Sequence, residues 1–175
     1  VDTEVFSQLL RQVLKGDVAG LFSHLEEQGL AFDRKTVITR CVEWKRDVVA
    51  QDEFDTGARM KLNLGHTIGH GIEALSDFSI SHGKAVAIGM ALVTKAAAAN
   101  HICKESLYHQ IVGILKAFDL PFTTDFSSHE LFELALSDKK RAGSSVNLIV
   151  PHQIGNCQIT SFPIAQLQEF IKSGL

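Results

Sequence analysis

Three histidines, His66, His70 and His82, hold most of the chemistry available to the stretch LNLGHTIGHGIEALSDFSISHGKAVAIGM, residues 62–90. Imidazole is a ligand for zinc and similar divalent metals, and it exchanges protons near neutral pH. His66 and His70 stand four apart, which on a helix puts both on one face, one turn from each other. The pair reads HTIGH and lacks the glutamate of HExxH, which disfavours a water-activating metallopeptidase. Arg59 and Asn63 lie just upstream. Together with histidine they suit an anionic substrate group, because a guanidinium grips phosphate or carboxylate through paired hydrogen bonds. Lys139, Lys140 and Arg141 can serve the same purpose or form a solvated charge run. Lys45 and Arg46 lie beside an apolar helical stripe and read as a solvated face.

The elements that must position these groups are mostly helical. There is no proline in the first 120 residues; the three prolines stand at 121, 151 and 163. Apolar spacing predicts helices over residues 1–15 and 21–27, then a longer one from Arg34 to about Gln51 with Asp33 as its N-cap. Asp52–Gly57 is acidic and turn-like, without the ligand pattern of an EF-hand. A helix from His66 to Leu75 must accept Gly69 and Gly71, each costing up to about 1 kcal/mol relative to alanine. Close approach of another backbone or a ligand would justify that cost. Ser76–Gly83 reads as a loop. Helices are expected over 84–100, 107–118 and 128–136, the last with Ser128 as N-cap. Val146–Val150 and Cys157–Thr160 form a β-hairpin, and Pro163 opens a final helix over 164–173. The expected fold is a single mainly α domain, residues 1–175, with a small hairpin near its C-terminus.

Composition narrows the partners. The chain of 175 residues is 45% hydrophobic and 21% charged with a net charge of −3, so nothing electrostatic points to nucleic acid or an anionic membrane. No apolar run approaches a membrane span, and there is no signal peptide at the start. The three cysteines, Cys41, Cys103 and Cys157, are isolated and read as reduced thiols in a cytoplasmic protein.

RMKLNLGHTIGHGIEAL followed by SHGKAVAIGM resembles the signature of the 3-dehydroquinate synthase family, G-x-R-x-x-L-N-x-G-H-T-x-G-H-x-x-E and then H-G-x-A-V-x-x-G-M. CVEWKRDVVAQDE resembles that family's helix ending in K-x-x-V-V-x-x-D-E. SDKKRAGSSVNLIVPHQIGNCQI resembles its D-K-K-R-x-G segment and closing hairpin. The likeness runs from Thr36 to the C-terminus, and other sugar-phosphate cyclases share it. It implies conversion of a seven-carbon keto-acid phosphate (DAHP) to 3-dehydroquinate with elimination of phosphate. That is a step of the shikimate pathway toward aromatic amino acids. It further implies catalytic NAD, a divalent metal (zinc or cobalt) and a homodimer. By position, His66 and His82 match the metal-binding histidines. His70 matches the proton-handling residue beside the substrate phosphate. Lys45, Arg59 and Asn63 match substrate-binding positions, as does the pair Lys139 and Lys140.

Two departures accompany the resemblance. Family enzymes are about twice as long, and their N-terminal half is a Rossmann-like domain with a glycine-rich NAD site. No GxGxxG loop occurs here, so the chain resembles the C-terminal domain alone, a fragment or a stand-alone remnant, and is expected to be inactive by itself. The family's third metal ligand is a glutamate in G-x-A-E-V-I-K. One register puts Gln12 there, the other Glu4, and an amide is a poorer zinc donor than a carboxylate. The competing readings are another sugar-phosphate cyclase, a metal-dependent phosphohydrolase, or a non-catalytic domain whose histidines are structural.

Overall fold

The computed structural model describes residues 25, 27, 28, 31, 33–52, 57–137 and 144–175. The helix expected over residues 1–15 lies outside them, as do Glu4, Gln12, Lys139 and Lys140.

Helix α1 spans Arg34–Gln51, and the Asp33 carboxylate caps it by accepting the Lys35 N–H at 3.1 Å. A 3₁₀ turn follows at Ala58–Asn63, then α2 at His66–Leu75 and α3 at His82–Ala99. Helix α3 begins two residues earlier than expected, because Ser81 is extended (φ −62°, ψ 151°) and already ends the loop. Helices α4 (Glu105–Ala117) and α5 (Ser128–Ser137) lead to an antiparallel hairpin, β1 (Ser145–Gln153) and β2 (Asn156–Pro163). Both strands are longer than the alternation indicated. Pro151 can donate no ladder hydrogen bond, and the pairing slips between Pro151 and Gln153. Pro163 then caps α6, Ile164–Gly174. The mainly helical architecture with a terminal hairpin is the one expected.

Helix α3 is the centre. Every residue from Ala85 to Ala97 except Lys95 is buried, as befits a helix apolar on all sides. Against it pack α2, α4, α6 and β1, while α5 bridges α2 and α6. Its one buried hydroxyl, Thr94, donates to the Met90 carbonyl at 2.7 Å and leaves no unmet donor. Cys103 and Cys157 are not disulfide-bonded. Among the described residues no helix is long and apolar enough to cross a membrane.

The α2–α3 contact is closer than side chains would allow. A Cβ on Gly89 would run into the Gly65 carbonyl and lie 3.0 Å from the Gly69 nitrogen. One on Gly69 would sit 3.1 Å from the Val86 backbone. Gly65 also needs its left-handed φ of 78° to turn the chain into α2. The cost of glycine in α2 is therefore offset at Gly69 by backbone contact. Gly71 meets only ordinary packing, 3.5 Å from Leu134.

The cap of α5 differs from expectation. Ser127, not Ser128, closes it: the Ser127 hydroxyl accepts the Glu130 N–H at 3.3 Å, and the Glu130 carboxylate accepts the Ser127 N–H at 2.8 Å. This reciprocal pair is a capping box.

Gly89→Ala should destabilise the protein by about 1–3 kcal/mol, read as a lower urea midpoint, because two backbones must separate. An unchanged midpoint would mean that the crossing is loose. A second expectation concerns acid. The Glu130 carboxyl is held below its usual value by the Ser127 hydroxyl, then the Ser127 N–H, with His129 adding to it. A lowered folded-state pKa stabilises above the unfolded value, and that stabilisation is lost as pH falls through the folded one. Glu130→Gln should thus flatten the fall of melting temperature below about pH 4.5 relative to wild type.

Candidate functional site

His66 opens α2, and the tight turn at Gly65 buries it against the start of the helix crossing. Its Nδ1 lies 3.3 Å from the Leu64 carbonyl oxygen. His70, one turn on, is exposed. His82 opens α3 and is half-buried. The ring centroids are 5.2 Å apart for His66–His82, 5.5 Å for His66–His70 and 5.8 Å for His70–His82. The structure thus gathers all three rings into one cluster at the α2–α3 crossing.

A fourth residue belongs to it. Glu73 Oε2 is 3.0 Å from His82 Nδ1, with only 14% of the Glu73 side chain exposed. Ligand atoms of His70, Glu73 and His82 all lie within 4.8 Å of one another. Sequence reasoning passed over Glu73, although its place three residues after His70 puts it on the same helix face. Imidazole nitrogens with a carboxylate oxygen are donors that zinc accepts, and cobalt(II) takes the same nitrogen and oxygen donors. The donors of His70, Glu73 and His82 therefore fit a divalent metal; His66, whose ring lies 5.2 Å from that of His82, is not in that group.

The substrate-binding candidates surround this cluster unevenly. Arg59 is half-buried on the 3₁₀ turn, and Asn63 is exposed at the end of that turn, three residues before His66. Lys45 is exposed on α1, the helix that packs against the turn. A second residue missed in the sequence sets this arrangement. Asp52 Oδ2 accepts the N–H groups of Gly57 at 2.8 Å and Arg59 at 2.9 Å. One carboxylate oxygen thereby ties the end of α1 to the start of the turn that carries Arg59. In sequence the run that follows reads as an acidic turn, which assigns Asp52 no role of its own.

Comparison with known proteins now decides the family. The family model described as 3-dehydroquinate synthase C-terminal matches residues 2–141. The chain belongs to the 3-dehydroquinate synthase C-terminal family. The 3-dehydroquinate synthase of Enterococcus faecalis (strain OG1RF) is 37% identical over 147 residues, 83% of this chain and 41% of the relative. That of Streptococcus suis (strain 05ZYH33) is 33% identical over 173 residues, 98% of this chain and 46% of the relative. The chain thus spans less than half the length of these relatives. Among solved structures, a 2-epi-5-epi-valiolone synthase from Streptomyces hygroscopicus subsp. jinggangensis, with NAD+ and Zn2+ bound, superposes with TM-score 0.81 at 19% identity. The superposition covers 94% of this chain and 48% of that one. A 2-deoxy-scyllo-inosose synthase complexed with carbaglucose-6-phosphate, NAD+ and Co2+ gives 0.78 at 21% identity, covering 97% and 50%. At such identities these two show a shared fold.

Within this family domain, Asp52 offers a direct test of how the Arg59 turn is held. Asp52→Ala strands two backbone donors and should cost about 1–3 kcal/mol in thermal or urea unfolding. Asp52→Asn keeps an acceptor oxygen and should recover most of it. Equal losses in the two variants would show that charge, not hydrogen bonding, holds the turn.

Proposed function

We propose that this chain is the metal- and substrate-binding domain of a 3-dehydroquinate synthase, a phosphate-eliminating lyase acting on DAHP. The cluster of three imidazoles at the α2–α3 crossing carries the reading. The family membership supports reading the cluster as the site of this chemistry. In this reading His66 and His82 hold zinc or cobalt, with the third ligand left between Glu4 and Gln12, both outside the described residues. NAD is held mainly by an N-terminal Rossmann-like domain outside these 175 residues, which alone turn nothing over. A bound metal supplies Lewis acidity, and NAD supplies redox chemistry.

The chain's own residues do the rest. His66, buried and begun by a rigid turn, gives a fixed donor direction. His70, exposed at the rim of the same cluster, holds or moves a proton beside the leaving phosphate. Arg59, Asn63, Lys45 and the pair Lys139 and Lys140 bind the substrate's anionic groups and keep it oriented. The whole enzyme is read as a cytoplasmic homodimer. Identities of 33–37% to 3-dehydroquinate synthases, against 19–21% to the two other synthases, favour this substrate over that of another sugar-phosphate cyclase.

The test has two parts. The chain should bind one equivalent of zinc or cobalt by calorimetry, and His66→Ala or His82→Ala should abolish that. Joined to an NAD-binding N-terminal half, it should release phosphate from DAHP only when NAD is present. There His70→Ala should keep the metal and slow release by about 10²–10⁴-fold. Absence of metal binding together with no turnover in the joined protein would leave the histidines structural. Turnover of a sugar phosphate lacking the carboxylate would point to another cyclase, and NAD-independent release to a phosphohydrolase.

A further inference from the structure

Glu73 stands beside His82 in a way that the ligand roles above leave unexplained. Its Oε2 lies 3.0 Å from His82 Nδ1. A carboxylate offers only acceptor oxygens, so in this pair the ring nitrogen is the donor. In the neutral imidazole that puts the proton on Nδ1 and leaves Nε2 as the basic nitrogen. We propose that Glu73 is a positioning residue that locks His82 in its Nδ1–H form and so presents Nε2 to the metal. The inference rests on the metal reading given above.

Three further observations bear on it. His66 shows the same arrangement, with Nδ1 directed at the Leu64 carbonyl. Two histidines of one cluster are thus each engaged by an acceptor at the same ring nitrogen, the outer-partner pattern of metal-binding imidazoles. The Glu73 side chain is only 14% exposed, so water competes weakly for its oxygens. The backbone of Glu73 also builds the turn that delivers His82. Its carbonyl accepts the Phe78 N–H at 2.8 Å and the Ser76 hydroxyl at 3.0 Å. Ser76 Oγ in turn accepts the Ile80 N–H at 3.3 Å. Asp77 and Phe78 hold left-handed φ values of 50° and 58° to make this turn. One residue therefore fixes both the path of the chain into α3 and the tautomer of its first side chain. The alternative is that Glu73 is itself a ligand, since its oxygen lies in the same donor group as His70 and His82.

The chain, with Glu73→Gln and Glu73→Ala, decides between these. Ring ¹⁵N shifts of His82 are read without metal, at a pH where the ring is neutral. Zinc affinity is measured by chelator competition, and the cobalt d–d spectrum reports coordination. Wild type should show the Nδ1–H form. Glu73→Gln, whose amide oxygen still accepts, should keep that form, the cobalt spectrum and most of the affinity. Glu73→Ala should lose the tautomer preference and about 10–100-fold in zinc affinity. Circular dichroism checks that both variants fold; should Glu73→Ala unfold, wild type and Glu73→Gln still decide the matter. An Nε2–H ring in wild type overturns the proposal. So does loss of metal with an altered cobalt spectrum in Glu73→Gln, which would make Glu73 a ligand. A wild-type chain that binds no metal would sink the metal reading alone, and the tautomer comparison would still settle what Glu73 does.

Discussion

The close crossing of α2 and α3 governs the rest of the structure. Gly65, Gly69 and Gly89 remove the side chains that would keep two backbones apart. Helix α3 can then be buried on every side, with α4, α6 and β1 packed around its remaining faces. The same closeness brings side chains from α2 and from the first turn of α3 within reach of each other. Larger residues at these three positions would push the two helices apart and draw His82 away from His66.

Around that crossing, polar groups are placed by short-range devices rather than by long-range charge. Asp52 closes the entry to the 3₁₀ turn, and the Leu64 carbonyl faces the His66 ring. Glu73 holds the exit turn by its carbonyl and the His82 ring by its carboxylate. Each device is a backbone group or a partly buried carboxylate, so its geometry is fixed by the fold and screened little by salt. A site that must bind a metal and an anionic substrate together gains from donors already aimed before either arrives.

The sequence makes the helices, the hairpin and the histidine cluster legible for identifiable reasons. Asp33 before an apolar 3–4 repeat announces α1, and Pro163 announces α6. Gly69 announces a near neighbour but not which one. Its partner Gly89 lies in an alanine-rich helix where one more small residue carries no signal. Two adjacent serines at the start of α5 are equal by propensity, and only the glutamate three residues after Ser127 separates them. Glu73 and Asp52 escaped because each acts across a turn, on a partner nine or seven residues away. Helical periodicity does not reach that far. The start of α3 was displaced because His82-Gly83 has poor helix propensity, which the burial of Gly83 overrides.

The histidine cluster is also local in sequence. All three imidazoles and their orienting groups fall between Leu64 and His82, within a single helical hairpin. The entropy lost in closing a loop grows only slowly with its length, but it must be met before any distant contact can repay it. Bringing these rings together asks for one short turn and no contact from the hairpin strands or the last helix. The donor cluster can therefore form early in folding. A metal that binds the folded form more tightly than the unfolded one would then stabilise the helical hairpin before the rest of the domain closes around it.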